Sequence, residues 1–194
     1  MAIDYNTLAK DYDLTRTANI NIINLFAAEI PFDGKKILDF GCGTGNFAYA
    51  IKRLTAAEIY GADPSEKMRE KALEKGLDVR RGDHLHLPFE DNFFDFIYMT
   101  DVIHHVPDLE KMFIEFYRVL KTGGLICIVT ESHKQLETRF WVKYFPTTVE
   151  IEKQRYPDIF KIISAANPVG LDKYKIILKN DHGETLLWIK KGEN

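Results

Sequence analysis

The sequence predicts a doubly wound α/β fold, with a mostly parallel sheet of seven strands, helices on both faces and an antiparallel hairpin at the C-terminal end. Three observations predict it. Short apolar runs alternate with segments of helical period from residue 36 to residue 130, the pattern of repeated strand–helix–strand units. A glycine turn, Gly41-Cys42-Gly43-Thr44-Gly45, joins the first strand to the first crossover helix. Near the C-terminus two strand-like runs flank Asn180-Asp181-His182-Gly183-Glu184, a hairpin signal.

The elements follow in order. A helix is expected over 17–29, with Ile20, Ile23, Leu25 and Phe26 inside, ending before Pro31 and Gly34. Residues 37–40 read as the first strand and 46–54 as the crossover helix. Residues 58–63 form the second strand. Pro64 and Ser65 then open a helix to about 75, Ser65 as N-cap and Gly76 as stop. The third strand covers 77–81 and the fourth 94–99, the latter largely apolar as a buried parallel strand should be. Residues 107–120 carry Leu109, Met112, Phe113, Phe116 and Leu120 in helical register, and 125–130 is the fifth strand. Residues 132–167 read as mostly helical, interrupted by Pro146 and Pro157, and 174–179 and 185–190 are the hairpin strands.

No repeat or linker divides the 194 residues, so one domain over 1–194 is expected, with 1–30 as an N-terminal helical lid and 132–167 as a helical acceptor-side segment. The net charge of −3 offers no pull toward nucleic acid. No apolar run is long enough to span a membrane, and the N-terminus lacks a basic-then-apolar leader. Two cysteines, Cys42 and Cys127, make no disulfide framework and no zinc set. The expected location is the cytoplasm, without metal or membrane; the oligomeric state stays open.

The glycine spacing is G-x-G-x-G. A dinucleotide fingerprint would place its third glycine at 46, which is Asn46, and no P-loop pattern occurs. Glycines let the chain turn sharply and let a ligand approach the backbone, and the following helix N-terminus offers N–H groups to negative atoms. The run Ile37-Leu38-Asp39-Phe40-Gly41-Cys42-Gly43-Thr44-Gly45 resembles motif I of the class I S-adenosylmethionine-dependent methyltransferases. Gly82-Asp83-His84-Leu85-His86-Leu87-Pro88-Phe89 and the later Phe94-Asp95 resemble further motifs of that family, in a subset often assigned to small molecules.

The resemblance implies S-adenosylmethionine as cofactor, S-adenosylhomocysteine as product and a small-molecule acceptor, with nucleic acid unexpected. It implies that Asp39, Gly41, Cys42, Gly43, Thr44 and Gly45 hold the cofactor. Asp63, with Pro64 beside it, would accept from the ribose diol; Asp83, with His84, would meet the adenine. Each aspartate could instead cap a turn of its own backbone. Thr100, after the fourth strand, would lie under the methionine part. Tyr12 and Arg16 would fold over the amino-acid end, Arg16 pairing with its carboxylate or lying on the surface. His104 and His105 are candidates for a general base, or supports for the turn.

Residues 133–157 are the least familiar. Phe140, Trp141, Tyr144, Phe145 and Tyr156 could cap an apolar acceptor pocket or pack on the sheet. Arg139, Lys143 and Arg155 could meet an acidic acceptor. The fourth-strand segment, Met99-Thr100-Asp101-Val102-Ile103-His104-His105-Val106, is unlike the proline-rich signatures of methyltransferases acting on exocyclic base amines, and the cysteine motif of the DNA cytosine C5 enzymes is absent. A nicotinamide dehydrogenase, an RNA or protein methyltransferase and a non-catalytic cofactor-binding module stay open at this point.

Overall fold

A computed structural model describes residues 5–9, 12–178 and 184–192. Seven strands form one sheet in the order β3-β2-β1-β4-β5-β7-β6. They are β1 (Lys36–Phe40), β2 (Glu58–Asp63), β3 (Asp78–Arg81), β4 (Phe94–Thr100), β5 (Leu120–Thr130), β6 (Lys173–Leu178) and β7 (Thr185–Lys190). The first five strands pair in parallel; β7 runs antiparallel to both β5 and β6. The expected doubly wound sheet with its antiparallel end is present. The predicted hairpin loop, 180–183, lies outside the described residues.

The helices are α1 (Tyr5–Leu8), α2 (Tyr12–Thr15), α3 (Ile20–Glu29), α4 (Asn46–Leu54), α5 (Glu66–Glu74), α6 (Leu109–Val119), α7 (His133–Thr138), α8 (Thr148–Arg155) and α9 (Ile159–Ala166). The helix expected over 17–29 starts at Ile20 because Asn19 caps it, its side chain accepting from the Asn21 N–H. Ser65 caps α5 as expected, and Asp108, not Pro107, opens α6. The fifth strand starts five residues earlier than expected, since Phe94 already pairs with Leu120 before the register shifts.

Strand alternation divides the core. In β4, Phe94, Ile97 and Met99 belong to the core that includes α6 and α9, while Phe96 and Tyr98 belong to the core that includes α3 and α4. Likewise Leu38 and Phe40 of β1 face the first core and Ile37 the second. Asp39 therefore falls on the α3–α4 side, beneath the glycine turn. Phe96 stacks on Trp188 at 5.6 Å and meets Phe26 edge to face at 5.5 Å, so α3 is clamped over the middle of the sheet. Chain order reverses between β1 and β4, and in open α/β sheets the ligand crevice lies outside the strand ends at that point.

Candidate active site

A cavity of about 300 Å³ opens at that crevice. Asp39, Gly41, Cys42 and Thr44 line it from β1 and the glycine turn, and Thr100 and Asp101 from the end of β4. Tyr12, Arg16 and Asn19 line it from the N-terminal segment. Of the residues expected at a cofactor, Asp39, Gly41, Cys42, Thr44, Thr100, Tyr12 and Arg16 share this wall. Gly43, Gly45, Asp63, Pro64, Asp83, His84, His104 and His105 are not on this wall, and His104 lines a separate cavity with Tyr156.

The turn has its shape because three glycines take positive φ: 70° at Gly41, 54° at Gly43 and 77° at Gly45. At Gly45 a Cβ would sit 2.3 Å from the Leu77 side chain, so this glycine also lets α4 pack against the end of α5. Gly43 has no neighbour closer than the Tyr12 ring at 3.8 Å. Asp63 braces the turn from the tip of β2. One carboxylate oxygen accepts the Gly43 N–H at 2.9 Å and the other the Ser65 N–H at 2.8 Å.

Asp83 makes a turn of its own: its carboxylate accepts the N–H groups of Leu85 at 2.8 Å and His86 at 3.2 Å. Asp39 is buried. Loss of hydration pushes its carboxyl up to about 7, opposed by the Tyr98 hydroxyl and the Ala48 N–H. Asp101 stands at the cavity mouth in a left-handed conformation, φ 56°. Loss of hydration raises its carboxyl, and Arg16, Arg139 and His105 oppose that rise.

The N-terminal segment is tied over the glycine turn. Thr44 Oγ1 donates to Asp13, and the Lys75 ammonium lies 2.9 Å from the same carboxylate. Lys75 also donates to the Thr44 carbonyl at 2.9 Å and to Asn46 Oδ1 at 2.6 Å. Asn46 in turn donates to the Arg16 carbonyl at 2.5 Å. Sequence reasoning missed Asp13, Asn46 and Lys75 as a connected set. Asp13 lies between Tyr12 and Arg16, but nothing local announces a lysine that closes on a carboxylate far along the chain.

After β4 a 3₁₀ turn, Ile103–His105, carries the histidines. The His104 ring stacks on Tyr156 at 4.3 Å and meets the His105 ring at 4.0 Å. Burial, aided by His105, Arg155 and Arg139, pushes His104 down to about 3. His105 is also lowered by burial, and its Nε2 lies 2.6 Å from the Tyr5 hydroxyl. Among the described residues no three His, Cys, Asp or Glu side chains gather as a metal site.

Residues 38–128 match the model of a methyltransferase domain of the type 11 family. Demethylmenaquinone methyltransferase of Lactiplantibacillus plantarum is 36% identical over 169 residues, 76% of this chain and 70% of that protein. The chain belongs to the S-adenosylmethionine-dependent methyltransferases. The sterol 24-C-methyltransferase erg6 of Schizosaccharomyces pombe is 36% identical over 100 residues, 47% of this chain but 26% of that protein. The chain thus spans about a quarter of the length of that relative. A solved protein of Methanococcus maripaludis assigned to the same methyltransferases has the same fold, with a TM-score of 0.78 at 20% identity over 100% of this chain and 98% of that one. No helix among the described residues is long and apolar enough to cross a membrane.

Proposed function

We propose that this methyltransferase moves the methyl group of S-adenosylmethionine to a small-molecule acceptor and releases S-adenosylhomocysteine. The observation that carries the reading is the cavity at the β1–β4 crevice, floored by the glycine turn and roofed by Tyr12 and Arg16. The relatives' names, which specify a sterol and demethylmenaquinone, support a small molecule over a polymer. The cavity suits the cofactor: glycines keep Cβ atoms out of its floor, and a carboxylate stands at each neighbouring strand tip.

Bound S-adenosylmethionine supplies an electrophilic methyl on a sulfonium. The chain's own residues bind, orient and exclude water. Asp63 uses one lone pair of each oxygen on backbone N–H groups and keeps capacity for ribose hydroxyls, with Pro64 beside it. Asp83 and His84 are assigned to the adenine. Thr100 and Asp101 face the methionine part, and Arg16 is assigned to its carboxylate. Gly41, Cys42, Thr44 and Asp39 form the floor. Tyr12 closes the roof, and alignment of this kind supplies roughly 7–11 kcal/mol.

Calorimetry with S-adenosylhomocysteine and with NAD tests the cofactor half. Tight binding of the first and none of the second is expected; the reverse overturns the reading. Turnover of a panel of small lipids, amines, RNA and peptides tests the acceptor half. Methylation of RNA or peptide alone overturns the small-molecule acceptor, and binding without turnover of any acceptor turns the chain into a cofactor-binding module.

A further inference from the structure

Residues 140–145 hold four aromatic side chains in a stretch of six, and all four face solvent. Phe140 is 76% exposed, Tyr144 65%, Phe145 63% and Trp141 38%. Phe26, Phe94, Phe96, Phe113 and Phe116 by contrast are fully buried, and the other exposed aromatics, Phe160, Tyr174 and Tyr49, are single residues far apart in the sequence. These four neither pack on the sheet nor close the cofactor cavity. Phe140 and Trp141 ride on a 3₁₀ turn, Phe140–Lys143, that follows α7, and Tyr144 and Phe145 come directly after it. Clustered apolar side chains on an otherwise polar surface mark a contact site.

The charges on this turn narrow the partner. The Arg139 guanidinium lies over the Trp141 ring at 4.7 Å, and the Lys143 ammonium is 6.0 Å from the Tyr144 ring centre. Cations and aromatic faces therefore share one side. Residues 132–147 carry Lys134, Arg139 and Lys143 against one carboxylate, Glu137, in a chain whose net charge is −3; Arg139 is paired with Glu131, which leaves Lys134 and Lys143 as the cations that reach outward. Glu137 is itself held by Lys153 at 2.8 Å. A second copy of the same patch would bring like charges together. A surface of phosphates over an apolar interior matches both halves. Indole and phenol rings sit at the headgroup level, phenylalanine enters the acyl boundary, and lysines reach back to the phosphates.

We propose that the 139–145 turn docks this methyltransferase onto an anionic lipid bilayer. The turn lies beside the carboxyl end of the sheet, since Arg139 Nε donates at 2.9 Å to Glu131, the residue after β5. Docking sets the crevice edge of the sheet against the membrane. A surface of this kind needs no spanning helix.

Vesicle co-sedimentation decides it. Three proteins are compared: the wild type, the Phe140→Ser/Phe145→Ser double variant and Lys143→Glu. Wild type should partition onto vesicles of mixed phosphatidylcholine and phosphatidylglycerol, less onto phosphatidylcholine alone, and less again at high salt. Both variants should lose at least about tenfold in partition onto the mixed vesicles, while binding S-adenosylhomocysteine like wild type. Absence of wild-type binding to the mixed vesicles overturns the proposal. So does equal partition of wild type and variants. A concentration-dependent dimer, abolished by the same substitutions and seen without vesicle binding, assigns the patch to a second copy and overturns it too.

Discussion

The hydroxyl of Tyr5 lies 2.6 Å from Nε2 of His105, with the two rings edge to face at 5.3 Å. The bond closes 100 residues of chain and fastens α1 to the turn after β4. Together with Asp13 on Thr44 and Lys75, it makes the segment before α3 a cover held at two points. Such covers order around their ligand. Amide exchange over this segment should slow when S-adenosylhomocysteine is added, alongside slowing at 41–45. Lys75→Ala should erase most of the change at the cover. Protection confined to 41–45 in the wild type would make Tyr12 and Arg16 bystanders.

Asp63 is predicted to matter twice. Hydrogen bonds to a charged acceptor contribute about 1.5–3 kcal/mol each, and Asp63 accepts two from the backbone. Asp63→Ala should therefore lower the melting temperature and weaken S-adenosylhomocysteine binding at least tenfold, about 1.4 kcal/mol. Asp63→Asn, which keeps one acceptor, should fall between. Asp63 sits at a strand tip, yet its brace on Gly43 ties it to the fold. Calorimetry on the alanine variant with unchanged affinity would remove the carboxylate from the cofactor site.

Gly45→Ala combines two penalties. The residue holds φ 77°, and the added Cβ would sit 2.3 Å from Leu77 Cδ1 and 3.2 Å from Ala72 Cβ. Strain and overpacking each cost on the order of 1–3 kcal/mol. Chemical denaturation should show a loss in that range or above. Gly76→Ala, with a positive φ of 74° but open space, should lose less. Equal losses would mean that packing at Leu77 yields freely.

Most of the frame was legible because it rests on local rules. Alternating apolar runs, the caps at Ser65 and the glycines at 41, 43 and 45 are short-range signals, and the sheet followed from them. The site was legible to the extent that it sits on strand tips: Asp39, Asp63 and Thr100 could be placed by counting. The links between distant segments were not. Asp13 with Thr44, Lys75 with Asn46 and Tyr5 with His105 depend on where the N-terminal segment settles, and no spacing encodes that. Nor could the sequence say whether Phe140 to Phe145 face in or out, since a run of neighbouring aromatics without a clear period points both ways.

Asp39 makes stability fall as pH rises. Its native carboxyl is held up to about 7 against an ordinary value of 3.8, so the native state keeps a proton that the unfolded chain has released. The stabilising effect is complete below pH 3.8 and is lost as pH rises through 7. Asp39→Asn removes this slope. Relative to wild type, the variant should gain stability between pH 4 and 7, read from thermal melts at fixed ionic strength. A constant offset between the two proteins across that window would mean that Asp39 is ionised throughout.

The histidines are predicted to support the site rather than take a proton. His104 is held down to about 3 by burial, with His105, Arg155 and Arg139 adding to the effect. Its native value lies below the ordinary 6.5, so between those values the unfolded chain binds the proton and the native state does not. Stability from His104 is present above pH 6.5 and is lost toward 3. A base so weak is mismatched to a reaction near neutrality, where efficiency needs a pKa near the working pH. His105 is also lowered, and its Nε2 is engaged by Tyr5. His104→Ala and His105→Ala should each cost well under the roughly 10²–10⁴ that loss of a general base produces, with no change in the acid limb of the rate profile. His105→Ala should raise KM more than it lowers kcat, because it releases the cover at Tyr5. His104→Asn should instead flatten the acid side of the melting profile. Single-turnover rates of both alanine variants across pH, with an acceptor in hand, decide between the roles: a thousandfold loss with an altered acid limb in either one identifies the base.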